Sequence, residues 1–128
     1  MKRKAFTLIE LVVVVLIIGI LAAVAAPKMF DTAGNARKSA SRQSLTVLRD
    51  AVELYKSENS AYPAIATIST SLKPYIKGSF PKEQLTAAGS DTVTAFTGTA
   101  AVSGTAGGWL YNATTGEVYV NHADGIAW

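Results

Sequence analysis

Apolar and polar positions divide the chain into two patterns. From Leu11 to Ala26 every residue is apolar or small, with no polar side chain to interrupt the run. Phe6 to Pro27 is 22 residues, which as a helix would extend ~33 Å, about one hydrocarbon thickness. After Pro27 the run gives way to periodicity. Ala33, Ala36, Ala40, Ser44, Leu48, Val52 and Tyr55 recur at threes and fours, flanked by Leu45 and Ala51, which is the stripe of an amphipathic helix. Lys38, Arg42, Arg49, Glu53 and Lys56 fall off that stripe, and Arg49 and Glu53 are spaced for an i,i+4 ion pair. Asn59 and Pro63 mark the end. The two patterns join into one nearly continuous predicted helix from Phe6 to Ser60, ~80 Å long.

Beyond it the pattern changes again. Tyr62 to Asp91 is irregular and punctuated by Pro63, Pro74, Gly78, Pro81 and Gly89. A short helical turn is expected over Ser69–Lys73, stopped by Pro74, with Leu72, Tyr75 and Ile76 as apolar contacts. TVTAFT (92–97), GWLYN (108–112) and EVYVN (117–121) have strand character. The connection ATTG between the last two predicts a β-hairpin. Val118 and Val120 share one face, and Leu110 is expected to join them against Leu48 and Val52. Gly98, Gly104, Gly107 and Gly108 read as a loose loop between strands. The expected architecture is α+β, a long helix packed on a small antiparallel sheet.

Composition narrows the function classes. A chain of 128 residues allows one modest domain besides the apolar arm, too small to favour a deep catalytic cleft. The net charge is +3, but Lys2, Arg3 and Lys4 account for all of it; the remaining nine basic residues face nine acidic ones. No basic face remains for nucleic acid. With no cysteine and a single histidine, His122, disulfides, thiolate metal sites and multi-histidine sites are excluded. No nucleophile motif accompanies His122, so a hydrolase lacks its convergent set of groups. Trp109, Tyr111, Tyr119 and Trp128 suggest a carbohydrate platform less than they suggest cover for a thin sheet or a subunit contact. Asn112-Ala113-Thr114 matches a glycosylation sequon beside a predicted turn.

One residue does not fit a plain hydrophobic segment. Glu10 stands at the front of the apolar run, where an unpaired charge costs several kcal/mol in hydrocarbon. The basic start, apolar middle and Ala23-Val24-Ala25 also fit a secretory signal peptide. Such a peptide has no use for Glu10, however, and its removal would discard the first third of a helix whose pattern continues past Pro27. The three leading positive charges place the N-terminus in the cytoplasm and the chain after Lys28 outside.

KRKAFTLIELVVVVLIIGILAAVAAPKMFD resembles the N-terminus of type IV pilins and type II secretion pseudopilins: a short basic leader, FTLIE, then an apolar run with Gly19 and Pro27. The likeness extends over about residues 1–60 and implies a pilin-like fold. It implies a leader of residues 1–5, a transmembrane and filament-core helix of residues 6–30, and a periplasmic globular domain of residues 31–128. Prepilin peptidase is expected to cut between Ala5 and Phe6, with methylation of the new Phe6 amine. Ala5 departs from the glycine usual before the cut. The anchored chain would leave the bacterial inner membrane through an assembly platform. It would then polymerise with itself and with related minor pilins or pseudopilins into a periplasmic or extracellular filament. Gly19 and Pro27 would lend the helix flexibility. The absence of a cysteine pair leans toward the pseudopilin branch, whose major members bind calcium in a C-terminal loop. The ending VNHADGIAW has too few oxygen ligands to favour that, and neither metal nor cofactor is expected. The alternative is an exported, membrane-tethered binding module.

For Glu10 the resemblance meets the physics. It lies ~6 Å along the axis from the mature N-terminus, near the positive end of the helix dipole. In a filament core, the Phe6 amine of a neighbouring subunit at about 4 Å would contribute ~4 kcal/mol at an effective dielectric of about 20. A charge satisfied only by the next subunit also fixes axial register, as a polar residue does in a coiled coil.

Overall fold

The computed structural model describes residues 6–104 and 107–128. The leader, including Ala5, lies outside the described residues. Helix α1 spans Leu8–Asn59 and passes through Pro27 without ending, although proline has no N–H to give the preceding turn. A 3-10 turn at Ile65–Thr67, helix α2 at Ile68–Ser71 and a 3-10 turn at Lys73–Tyr75 follow. Strands β1 (Val93–Ala95), β2 (Trp109–Tyr111) and β3 (Val118–Val120) complete the α+β fold, which is pilin-like in its long apolar N-terminal helix and small sheet. The chain divides into two compact units, residues 1–35 and 36–128.

In the first unit the described helix has no core of its own: every residue from Leu8 to Phe30 is exposed. The second unit buries Leu45, Leu48, Ala51 and Val52 of α1 with Ile68, Leu72, Ile76, Trp109, Tyr111, Val118 and Val120. The apolar stripe of α1 is therefore only partly used. Burial begins at Ser41, whereas Ala36 and Ala40 are exposed. Helix α1 ends as its sequence predicts, with Ser60 in the left-handed region at φ 56° and its N–H on the Lys56 carbonyl at 2.8 Å. Pro74 does not stop a helix. It sits in the first positions of the Lys73–Tyr75 turn, where a missing N–H is harmless.

The sheet order is β1-β2-β3. β2 and β3 form the antiparallel hairpin expected, but β1 pairs with β2 in parallel, Val93 opposite Trp109. The expectation of a wholly antiparallel sheet is corrected accordingly: the sheet is mixed. A parallel neighbour needs a crossover of about a dozen residues, and the connection from Phe96 to Gly108 is long enough. Leu110 is also corrected. Directly paired residues share a face. Trp109 is opposite Val120 and Tyr111 opposite Val118, so the two aromatics, not Leu110, join the valines against α1. Leu110 pairs with Tyr119 on the other face and is fully buried there.

Gly108 makes the parallel pairing possible. Its φ is +78°, and a Cβ at this position would lie 2.2 Å from the Thr92 carbonyl oxygen. That carbonyl accepts the Trp109 N–H at 2.8 Å, so the glycine lets β1 approach the start of β2.

Candidate functional site at the head of the apolar helix

The first turn of α1 is built by the four residues TLIE. The Glu10 carboxylate oxygen Oε2 accepts the Thr7 backbone N–H at 2.9 Å and the Thr7 hydroxyl at 2.8 Å. In return the Glu10 N–H donates to Thr7 Oγ1 at 3.3 Å. This is a capping box, in which the N-cap residue and the third residue of the first turn satisfy each other's orphan donors. Sequence reasoning missed it, although Thr-x-x-Glu before an apolar run is its signature. The box answers part of the question Glu10 raises: the carboxylate starts the helix and stands beside the positive end of its dipole. Both bonds fall on Oε2, and Oε1 takes neither.

Phe6 and Glu10 line the same shallow groove with Ile9, Val13 and Val14, about 390 Å³ in volume. The two predicted assembly residues thus stand together at the helix head. Gly19 has no atom within 4 Å of where a Cβ would be, so its surroundings are open. Pro27 lies within the continuous helix. Apart from Glu10, the helix carries no charged residue from Leu8 to Pro27, and it is long and apolar enough to cross a membrane.

The outer unit has a pocket of about 350 Å³ beside α1 and β3, lined by Arg49, Glu53, Glu117 and Tyr119 among others, but the sites its sequence suggested are not assembled. Trp109 and Tyr111 cannot form a carbohydrate platform, because both are fully buried. The Trp109 indole N–H donates to the Pro81 carbonyl at 2.9 Å, and the Tyr111 hydroxyl donates to the Pro63 carbonyl at 2.8 Å. Tyr119 packs edge-on against Phe96, and Trp128 lies under the Arg42 guanidinium at 4.5 Å. Among the described residues no three His, Asp or Glu side chains converge as metal ligands. Asp124 instead pairs with Lys38, and Asp91 with Lys82. His122 accepts the Asp124 N–H on Nδ1 at 3.2 Å. The Asn112 side chain is buried and accepts the N–H groups of Thr114 and Thr115, closing the hairpin turn from within the sequon.

Two polar residues of the outer unit take roles the sequence reading did not give them. Arg49 does not pair with Glu53 as its spacing suggests. Its guanidinium donates twice to the Val118 carbonyl, at 3.1 and 2.8 Å, and once to the Trp128 carbonyl at 2.8 Å. One arginine therefore ties α1 to β3 and to residue 128. Glu83 is fully buried and accepts the Thr86 N–H at 2.9 Å, the Thr86 hydroxyl at 3.0 Å and the Gly108 N–H at 3.3 Å. Local spacing does not reveal the Arg49 bonds, whose partners are 69 and 79 residues away, or the Gly108 bond to Glu83, 25 residues away.

The prokaryotic N-terminal methylation motif matches residues 1–26. The type II secretion system core protein G of Pseudomonas aeruginosa is 36% identical over 63 residues, 49% of this chain and 44% of that protein. Its Vibrio cholerae counterpart is 33% identical over 90 residues, 63% of this chain and 62% of that protein. That of Escherichia coli is 36% identical over 62 residues, 48% and 43% of the two chains. The matched stretches span less than two thirds of each relative. No solved structure matches. An apolar helix headed by a Thr-x-x-Glu box, the methylation motif and a likeness to core protein G that runs beyond that motif agree with one another: the chain carries the prepilin-type N-terminal motif and is similar over part of its length to the type II secretion pseudopilins.

Proposed function

We propose that this chain is a structural subunit of a helical filament, a type II secretion pseudopilus or a type IV pilus, and works as a building block rather than a catalyst. The observation that carries the reading is the helix from Leu8 to Phe30, exposed along its whole length and headed by one carboxylate. Such a surface is stable first in lipid, where every backbone group of a helix is satisfied internally. After extraction it is stable only against copies of itself. The relatives' shared name supports the pseudopilus.

In this reading the leader of residues 1–5 is removed by prepilin peptidase, the helix of residues 6–30 anchors the chain in the inner membrane, and residues 31–128 lie outside. Cleavage after Ala5 exposes the Phe6 amine, which is methylated. In the filament the Glu10 carboxylate meets the Phe6 amine of the neighbouring subunit, while its Oε2 keeps the Thr7 cap. Gly19 and Pro27 are the points at which the helix can loosen as subunits pack. Sister pseudopilins and the inner-membrane assembly platform complete the partner set.

Mass spectrometry of the N-terminus, taken from the membrane or filament form, tests this reading. The expected mature chain begins at methylated Phe6. A chain starting at Ala26 or Pro27 would mean that signal peptidase removes the arm, and the filament reading would fall. A correctly processed chain that stays single in the membrane would favour the tethered binding module.

A further inference from the structure

The sheet has two outer edges, and the fold treats them differently. In the order β1-β2-β3 they belong to β1 and β3. On β3, Glu117 and Asn121 bond toward β2, their carbonyls accepting the Asn112 and Gly107 N–H groups. Backbone groups alternate along a strand, so Val118 and Val120 turn theirs outward. The outward Val118 carbonyl is occupied by the Arg49 guanidinium, at 3.1 and 2.8 Å. A charged side chain laid on an edge is one way a sheet is kept from pairing with another chain. β1 has no such guard. Its bonds to β2 run through the Thr92 carbonyl, which accepts the Trp109 N–H at 2.8 Å, and the Phe96 N–H, which donates to the Tyr111 carbonyl at 3.1 Å. By the same alternation Val93 and Ala95 point their N–H and C=O groups outward. No hydrogen bond from the described residues reaches those four groups. The Ile65–Thr67 turn comes near β1 without bonding to it, and Ala95 is exposed. From Thr92 to Gly116 the chain has neither a charged residue nor a proline, the residues that commonly blunt an edge.

We infer that the outer edge of β1 is a docking site for an extended, uncharged segment of another protein, added to the sheet as a fourth strand. In strand addition the main-chain groups supply the binding and alternate side chains supply the selectivity. On the face shared by Leu110 and Tyr119, the added strand lies beside Thr94 and the half-buried Phe96, whose ring packs against Tyr119 at 5.6 Å. A β-branched or aromatic residue fits there. On the opposite face it lies beside Ala95, whose small, exposed side chain leaves room. A charge on the added strand would find no opposite charge from Thr92 to Gly116, which favours an uncharged segment. A second copy of this chain does not fill the site by stacking edge to edge, because the β3 edge it would offer is held by Arg49. The inference goes beyond the filament reading and needs only the sheet of the outer unit.

The probe is a short peptide of alternating threonine and valine, acetylated and amidated so that it carries no charge. Hydrogen exchange at single amides, read by NMR on the full-length chain in detergent micelles, reports its binding. The Val93 and Ala95 amides should exchange several-fold more slowly with the peptide present, whereas the Phe96 amide, already bonded to Tyr111, should change little. Ala95→Pro removes an outward N–H and no bond of the fold; at an unchanged melting temperature it should weaken the peptide several-fold. Ala95→Lys puts a charge on the edge at an exposed position and should weaken it as well, which keeps the test decisive if the proline variant does not fold. Unchanged exchange at Val93 and Ala95 at the highest soluble peptide concentration, or equal binding by the parent and Ala95→Lys, would overturn the inference. So would protection of both amides before any peptide is added, in micelles that hold two chains, since the edge would then belong to a copy.

Discussion

The two units of this chain treat apolar surface in opposite ways. In residues 36–128 the large apolar residues are mostly hidden: Leu48, Val52, Leu72, Trp109, Tyr111 and Val120 have no measurable exposure. In the described part of residues 1–35 the same kinds of side chain stand bare, with Leu8 80% and Phe30 78% exposed. Polar groups follow suit. Glu83 is buried with two donors from Thr86, three residues on, and a third from Gly108 at the start of β2, whereas Glu10 is exposed and is satisfied by its own helical turn alone. The outer unit thus hides most of its large apolar residues within itself; in the proposed function the arm is covered by lipid or by copies. A substitution in the first should be read as stability and one in the second as assembly.

The largest break in that comparison should come from Glu10→Ala. Membrane insertion should persist or improve, since a charge leaves an apolar helix, and the loss of the cap would cost only about 1 kcal/mol. Filament growth should stop, because leaving one member of a buried charge pair alone costs about 3–5 kcal/mol at every added subunit. Glu10→Gln, which keeps shape and some capping, separates the two roles: it should insert normally and still fail to assemble. The checks are electron microscopy beside a membrane-fraction blot for each variant. Abundant normal filaments from Glu10→Ala would show the charge pair to be dispensable.

Next comes the test of self-sufficiency. Deleting residues 1–30 should leave a soluble monomer by light scattering, since the core begins at Ser41 and uses nothing from the arm. In that monomer Gly108→Ala should be among the most damaging single changes. The new methyl would meet the Thr92 carbonyl, and an alanine held at positive φ is strained by about 1–2 kcal/mol before any clash. Thermal unfolding should show a large fall in melting temperature or no folded protein. A melting temperature close to that of the parent would mean that β1 is not held where the parallel pairing puts it.

Arg49→Ala should cost less, about 1.5–3 kcal/mol, the range for hydrogen bonds to a charged group, because it frees two carbonyls at once. Lys38→Ala is its control. The Lys38–Asp124 pair is 3.5 Å long with both side chains about half exposed, and such pairs contribute about 0–1 kcal/mol. Urea denaturation of the outer unit should rank the two variants in that order; equal effects would refute the arginine clamp.

The clamp also marks where the sequence stopped being legible. Periodicity carried the helix, its end near Asn59 and both hairpin strands, because each is a local pattern read over a few residues. The N-terminal motif was legible in another way, as a resemblance, because it lies in consecutive letters. Parity misled at Leu110: it was set on the face of Val118 and Val120, but register depends on which residue faces which across the hairpin, and Trp109 opposite Val120 reverses the choice. The parallel strand, the turn of Arg49 away from Glu53 and the Gly108 bond to Glu83 depend on contacts 16 to 79 residues apart, where spacing carries no information. The Thr7–Glu10 box was the opposite case, three residues apart and legible, yet overshadowed by the assembly role proposed for the same glutamate.

The smallest effect appears only at high pH and separates the sealed core from the bare arm in another way. Burial, helped by the neighbouring phenols of Tyr62 and Tyr55, pushes the Tyr111 hydroxyl up to about 12 from an ordinary value of 10.0. The core thus favours the neutral phenol, whose proton is held on the Pro63 carbonyl. Its contribution is fully present below pH 10. Between 10 and 12 the unfolded chain gives up the proton while the folded one keeps it, so stability falls as pH rises through that window. Tyr111→Phe removes the titrating group. It should lose about 1 kcal/mol at neutral pH with the Pro63 hydrogen bond, then lose less further stability than the parent between pH 10 and 12. The other tyrosines titrate in both proteins, so the difference between the two curves isolates this residue. Denaturation of the outer unit at stepped pH measures it, and parallel curves across the window would show that the Tyr111 hydroxyl is not sealed from water.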